Sequence, residues 1–282
     1  MKSSKSFIQT IYICFIILSC LVISKAQTAQ QGSIAITPAS IDATVKSGAS
    51  YTQTFTITNN TDARLQFQCS IEDMGYDENN RRITGRPGTL PRSASPWVQF
   101  TPSEISIEPH ASQTVKAVIT IPQDAAGSFF TVPVFQGMPV EKYVSNVKVS
   151  TANSTANIGI KFRGLILLTT EKGAEYNIEI LDGKIIPPTN SSELELTLNL
   201  RNRGTAHARV RGAFAILNSS GALVGRGNID EKRYLPAQND AIKAKWAGEL
   251  PSGNYTCVTT LSYNRVGLEP FSMVYELPFT VK

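Results

Sequence analysis

Two histidines and four cysteines supply most of the side chains from which a nucleophilic or transition-metal site could be built in this chain of 282 residues. His110 lies in Pro109-His110-Ala111-Ser112, and His207 follows Asn202-Arg203-Gly204. Either imidazole could act as a general base. Neither has a nucleophile or an orienting acid at a telling spacing, so both are expected to be exposed turn histidines. Cys14 and Cys20 fall in the N-terminal apolar run, and Cys69 and Cys257 stand far apart. Isolated histidines and cysteines make no zinc pattern. Gly225-Arg226-Gly227 lacks the strand and helix that flank a dinucleotide loop. Asp73, Asp77, Glu78 and Asn79 carry oxygens suited to Ca²⁺ but not the spacing of a calcium loop, and a polar hairpin tip is expected there. The expectation is a protein that is not an enzyme, with no catalytic residue, metal or cofactor.

Two other stretches carry groups suited to binding. Residues 77–96 form a long irregular segment holding Arg81, Arg82, Arg86 and Arg92 among Gly, Pro and Ser. Long loops on a rigid scaffold often carry binding residues, so these arginines are secondary contact candidates; the plain alternative is a solvated arm. Residues 157–166 place Ile158, Ile160, Phe162 and Ile166 on one face of a strand, with Val147 and Val149 upstream on a Ser/Thr/Asn-rich background. At a sheet edge such a strand could pair with another chain and read it through alternate side chains. The alternative is an ordinary strand packed on its own core. Lys161 points to the other face. It is either an anchor for a partner's charge or a strand lysine with its head in water.

The N-terminus stands outside the folding argument. Lys2 and Lys5 precede an apolar run over residues 11–23, and Ser24-Lys25-Ala26 suits a cleavage site, so residues 1–26 are expected to be a secretory signal. The run is short for a span of roughly 20 apolar residues. Ile17-Leu18-Ser19-Cys20 loosely resembles a lipidation box, and a membrane tether would follow only if Cys20 is lipidated. Three of the 27 basic residues lie in the signal, leaving 24 against 22 acidic ones, a net charge of +2. That balance gives no nucleic-acid footprint. Cys69 and Cys257 are expected to be buried as small apolar groups, with a bridge between domains as the alternative. Five Asn-x-Ser/Thr sites, at Asn59, Asn153, Asn190, Asn218 and Asn254, matter only in a host that glycosylates them.

Alternation dominates the rest. Tyr51, Gln53, Phe55 and Ile57 face away from Thr52, Thr54, Thr56 and Thr58. Leu194, Leu196, Leu198 and Leu200 alternate with Glu193, Glu195, Thr197 and Asn199. Period two with one apolar face predicts half-buried strands. Turns such as Asn59-Asn60-Thr61-Asp62, Pro87-Gly88 and Ser219-Ser220-Gly221 divide them. A weak internal repeat is also present. Thr114-Val115-Lys116-Ala117 leads through Ile121-Pro122 to Gly127-Ser128-Phe129, as Ala241-Ile242-Lys243-Ala244 leads through Leu250-Pro251 to Gly253-Asn254-Tyr255. The strand ending at Asn59 likewise matches the one ending at Asn202. The fold expected is all-β, two tandem Ig-like sandwiches over residues 27–171 and 172–282. Trp97 and Phe100 are core candidates of the first. Tyr255, two residues before Cys257, has the spacing of a tyrosine corner.

With these residues placed, residues 33–164 resemble the N-terminal domain of PapD-like periplasmic pilus-assembly chaperones. The likeness runs through Ile36-Thr37-Pro38, Ser47-Gly48, Phe55-Thr56-Ile57-Thr58-Asn59-Asn60, Asn79-Asn80-Arg81-Arg82-Ile83-Thr84, Ile107-Glu108-Pro109 and Ile160-Lys161-Phe162. In that family a last-strand lysine and a first-strand arginine hold a pilin's terminal carboxylate. Lys161 matches the lysine; the arginine position falls near Ser40, where only Lys46 is basic nearby. The two-domain layout is also similar to WxL-interacting surface proteins, which hold partners at the cell wall. The resemblance implies an exported, non-enzymatic module that captures a secreted or envelope protein, pilin-like in the chaperone case, in the periplasm or at the cell surface. A wall-polymer or carbohydrate-binding sandwich is a separate alternative, for which Trp97 and Trp246 are the aromatic candidates.

Overall fold

Alternating sequence becomes strand throughout the computed structural model, which describes residues 33–77, 79–140, 159–189 and 191–282. Val147, Val149 and Ile158, the expected signal over residues 1–26, Cys20 and the glycosylation candidates Asn153 and Asn190 lie outside the described residues. Among the described residues there is no α-helix, only a short 3-10 turn at Ser95–Trp97, and no helix long and apolar enough to cross a membrane.

The described residues of the first sandwich form eleven strands. One sheet runs β1 (Ile34–Thr37), β3 (Ser50–Asn59), β8 (Ala111–Thr120), β6 (Val98–Thr101). The other runs β2 (Ser40–Val45), β11 (Leu165–Thr170), β9 (Ser128–Pro139), β4 (Leu65–Tyr76), β5 (Arg82–Gly85), with β10 (Ile160–Arg163) beside β9 and β7 (Glu104–Ile107) beside β4. Phe55, Ile57, Val115 and Ile119 from the first sheet meet Ile41, Phe67, Cys69, Phe135, Ile166 and Leu168 from the second. Each such side chain contributes roughly 1.5–3 kcal/mol on burial. Trp97 packs at the rim of this core, its ring 4.5 Å from that of Phe129.

The second sandwich pairs β12 (Ile178–Ile186), β13 (Leu194–Asn202) and β16 (Asn239–Trp246) against β15 (Leu223–Tyr234), β14 (Ala208–Asn218), β17 (Gly253–Arg265) and β18 (Leu268–Val281). The leucines of β13 are all buried, and Glu195, Thr197 and Asn199 between them are half-buried. The tyrosine corner forms: the Tyr255 hydroxyl donates to the Pro251 carbonyl at 2.8 Å. The repeat has a physical counterpart. Asn59 and Asn202, both fully buried, each donate from Nδ2 to the carbonyl four residues on, Ala63 and Ala206. Each side-chain oxygen accepts a backbone N–H two residues on, from Thr61 and Gly204. Cys69 and Cys257 are free and sit in the two separate cores; burial pushes the Cys69 thiol up to about 11.

The seven-stranded sheet is buried on both faces where the sandwiches meet. Phe130, Val132, Leu167 and Met74 lie on its outer face and form a third cluster with Leu235 of the second sandwich. The chain closes this contact at Gly127, whose φ is +93°. A Cβ there would stand 2.6 Å from the Thr205 carbonyl oxygen. The next amide, Ser128, donates to that same carbonyl at 2.8 Å.

Candidate functional site

Among the described residues β10 lies at an edge of its sheet. It pairs antiparallel with β9 through Ile160–Gly137, Lys161–Gln136, Phe162–Phe135 and Arg163–Val134. No second strand pairs with it among the described residues. The expected single last strand is broken at Gly164, whose amide donates to the Pro133 carbonyl. Beyond the break β11 is flanked on both sides, by β9 and, in parallel, by β2, with Leu165 opposite Ser40. The predicted apolar face therefore divides. Phe162 packs on the core and Ile166 is fully buried, but Ile160 is 40% exposed.

Lys161 is engaged within the chain. Its Nζ donates to Glu72 Oε1 at 2.6 Å, and Arg163 Nε donates to Glu72 Oε2 at 3.0 Å. Glu72 lies on β4 opposite Val132, so both basic side chains reach it across β9. Val134, opposite Arg163 in the register, is fully buried on this outer face. The hydrogen bond from Lys161, followed by the bond and charge of Arg163, outweighs burial and holds the Glu72 carboxyl below its usual value. Sequence reasoning missed Glu72 and Arg163; the signal was a glutamate in an otherwise apolar-alternating strand.

The four loop arginines separate. Arg81, Arg82 and Arg86 are exposed, with Arg82 in β5. Arg92 is half-buried at φ +57°, donates to the Ala126 carbonyl and lies 5.7 Å from the centroid of the Phe129 ring. The segment is less irregular than expected, because fully buried Asp73 accepts the amides of Gly88, Thr89 and Leu90 and the Ser93 hydroxyl. Asp77 accepts the amides of Asn79 and Arg81, which makes the predicted polar hairpin tip. Among the described residues no group of three or more His, Cys, Asp or Glu could hold a metal.

The expectation for His207 is corrected. His110 is exposed and meets Asp62, but His207 is only 8% exposed and lies between the sandwiches. Its Nε2 stands 3.1 Å from Asp42, and its Nδ1 stands 3.1 Å and 3.2 Å from the hydroxyls of Ser128 and Thr169. Arg209 also donates to Asp42, by Nη2 at 2.7 Å, and by Nη1 to Glu231. Burial alone would raise the Asp42 carboxyl. The His207 hydrogen bond and charge, then those of Arg209, outweigh it and hold the group well below the usual carboxylate range. Asp42, His207 and Ser128 have the residue types of a hydrolytic triad, but Ser128 is fully buried. The cluster joins two domains.

No family model matches the chain, and no curated protein matches it. Solved structures do. The fold is similar to CfaA, a class 5 fimbriae chaperone, at 13% identity, covering 86% of this chain and 98% of that one with a TM-score of 0.45. It is also similar to a chain of the CsuC–CsuE chaperone–tip subunit pre-assembly complex from Acinetobacter baumannii (11%, 86% and 97%, TM-score 0.43). A third likeness is to the Salmonella enterica SafA pilin–SafB chaperone complex (9%, 86% and 96%, TM-score 0.42). These neighbours are PapD-like fimbrial chaperones.

Proposed function

We propose that the chain is an exported, non-enzymatic protein-binding module that captures an extended segment of a secreted partner along β10, as a pilus-assembly chaperone does. The observation that carries this is the unpaired outer edge of β10 among the described residues. Backbone hydrogen bonds along such an edge supply affinity, and alternate side chains supply specificity. Ile160 and Phe162 line the strand on one side, and Lys161 and Arg163 on the other. Val147, Val149 and Ile158 belong to the proposed surface from their place in the sequence. The partner is a pilin-like or envelope subunit, met in the periplasm or at the cell surface. Arg81, Arg82 and Arg86 provide secondary contacts on the exposed loop.

The test blocks the edge without touching the core. An Ile160→Lys variant places a charge where natural edge strands carry one to prevent pairing. Wild type and variant are used in parallel to isolate partners from the native envelope, and their melting temperatures are compared. The expected result is one secreted protein bound by wild type and lost from an equally stable variant. Equal recovery of that protein by both would remove β10 from the site.

A further inference from the structure

Among the described residues β18 is the longest strand, at 14 residues, and it closes one side of its sheet. Among those residues it pairs with β17 and with no other strand. A long open edge invites pairing with another chain, and proteins blunt such edges with charges, bulges or short strands. The other edges of the second sandwich are blunted. β12 has a register shift between Ile180 and Asp182. β16 carries Asp240, Lys243 and Lys245, and β15 carries Arg226, Asp230, Glu231 and Lys232. β18 has no comparable protection. From Phe271 to Leu277 its single charge is Glu276. Apolar side chains gather on this hairpin instead: Val266, Leu268, Phe271 and Val274 are exposed, Val274 by 61%. Such a concentration of exposed apolar groups marks an interaction surface.

We infer that β18 is a self-association edge, pairing antiparallel with β18 of a second copy of this chain about a twofold axis at Val274. The inference is independent of capture at β10. The strand's own sequence selects both the partner and the register. Pro270 and Pro278 are equidistant from Val274. Proline has no N–H, so within a paired strand its nitrogen turns away from the neighbour. The backbone groups of Ser272, Val274 and Glu276, in phase with the prolines, then face outward. A twofold axis at Val274 sets Pro270 of each copy opposite Pro278 of the other, at the ends of the paired stretch, where neither interrupts the ladder. Between them Val274 meets its own copy, Ser272 meets Glu276, Met273 meets Tyr275 and Phe271 meets Leu277. No like charges are opposed, and the outward amides and carbonyls find partners. An axis at Glu276 would set two carboxylates against each other, and one at Ser272 would set Pro270 against Val274 and lose a ladder bond. Met273, Tyr275 and Leu277 already pack on the second core, so the pairing would join the apolar layers of the two copies.

The experiment measures the mass of the full chain in solution by sedimentation over a concentration series, for wild type, Val274→Thr and Val274→Lys. Val274 is mostly exposed, so both variants are expected to melt as wild type does. Wild type and Val274→Thr are expected to dimerise alike. Val274→Lys sets two like charges on the axis and is expected to weaken the dimer about tenfold or more. Cross-linking reads the register even if Val274→Lys melts early. A short bis-maleimide should join Val274→Cys to its own copy but not Thr260→Cys, which lies opposite Val274 on β17. The native Cys69 and Cys257 are buried and common to every variant. A chain that stays monomeric at every concentration overturns the inference, even if β18 then proves to bind a different polypeptide. A dimer that Val274→Lys leaves intact and Val274→Cys does not cross-link overturns it too. A ladder of larger species means an edge with no closing axis, and the inference fails. A dimer lost in Ile160→Lys but kept in Val274→Lys belongs to β10 and likewise overturns it.

Discussion

The two sandwiches use the same strand pattern to different ends. In the second, β13 and β17 alternate, one face in the core and the other towards solvent. In the first, every residue from Phe130 to Phe135 on β9, and from Ile166 to Thr170 on β11, is buried. Their inner side chains fill the first core, and their outer ones, Phe130, Val132 and Leu167, meet Leu235. Continuous apolar strands are the mark of a sheet covered on both faces. One sandwich is thus a self-contained unit, whereas the other gives up a sheet face to hold its neighbour. What remains of that face, past Val134 towards β10, is floored by the Glu72–Lys161–Arg163 cluster and bounded by the open edge. The same sheet packs on the second sandwich and carries β10, the strand proposed to bind.

This contrast can be broken first at Leu167. Leu167→Ala is expected to cost about 2–5 kcal/mol, as for other buried leucines, and Leu198→Ala in the second sandwich a similar amount. The difference lies in which domain reports it. The chain has two tryptophans, Trp97 in the first sandwich and Trp246 in the second. Denaturation followed through single-tryptophan variants should show Leu167→Ala shifting both transitions and Leu198→Ala shifting mainly that of Trp246. A Leu167→Ala effect confined to Trp97 would mean that the shared face does not couple the domains.

The polar part of the junction gives the next effect. Asp42→Asn weakens the bonds to His207 and Arg209 and is expected to cost about 1.5–3 kcal/mol, the range for hydrogen bonds to a charged group. The effect should depend on pH. Because the folded-state pKa of Asp42 is depressed, its contribution is present above the ordinary carboxylate value of about 3.9 and is lost as pH falls through the lower folded value. Among the described residues His207, Arg209, Arg233 and Tyr176 are charged or titratable groups that act with it. Denaturant titrations at pH 5 and pH 3 give the gap in stability between wild type and variant. The gap should narrow by pH 3, and one that widened there would contradict the assignment.

The smallest effect sharpens the boundary between architecture and binding. Glu72→Gln releases Lys161 and Arg163, whose side chains are 37% and 44% exposed, so the stability change should stay under about 1 kcal/mol. Melting of the two domains is the check; a larger loss would make the cluster part of the scaffold.

Much of this was legible from the chain. Period-two alternation fixed the strands of β3 and β13, because a residue facing a core must be apolar and its neighbour need not be. The repeat of Asn59 and Asn202 signalled two equivalent corners, where each amide satisfies turn backbone. Tyr255 announced its own hydrogen bond by its distance from Cys257. The continuous Phe129–Phe135 and Leu165–Leu168 runs carried the two-sided burial as well, visible as an absence of alternation.

The partners of the charged groups were not legible. His207 follows a turn, and nothing near it in sequence says that it will be buried. Its acceptor Asp42 is 165 positions away, and Glu72 is 89 positions from Lys161. Those distances close only when strand register and domain packing are set. A one-residue slip would turn each of these side chains to the opposite face. The sequence alone determined the all-β class, the tandem repeat and which faces are apolar, since these follow from local spacing. Tertiary structure alone decided that β10 lies at an edge among the described residues, that Lys161 and Arg163 share Glu72, and that His207 is buried against Asp42.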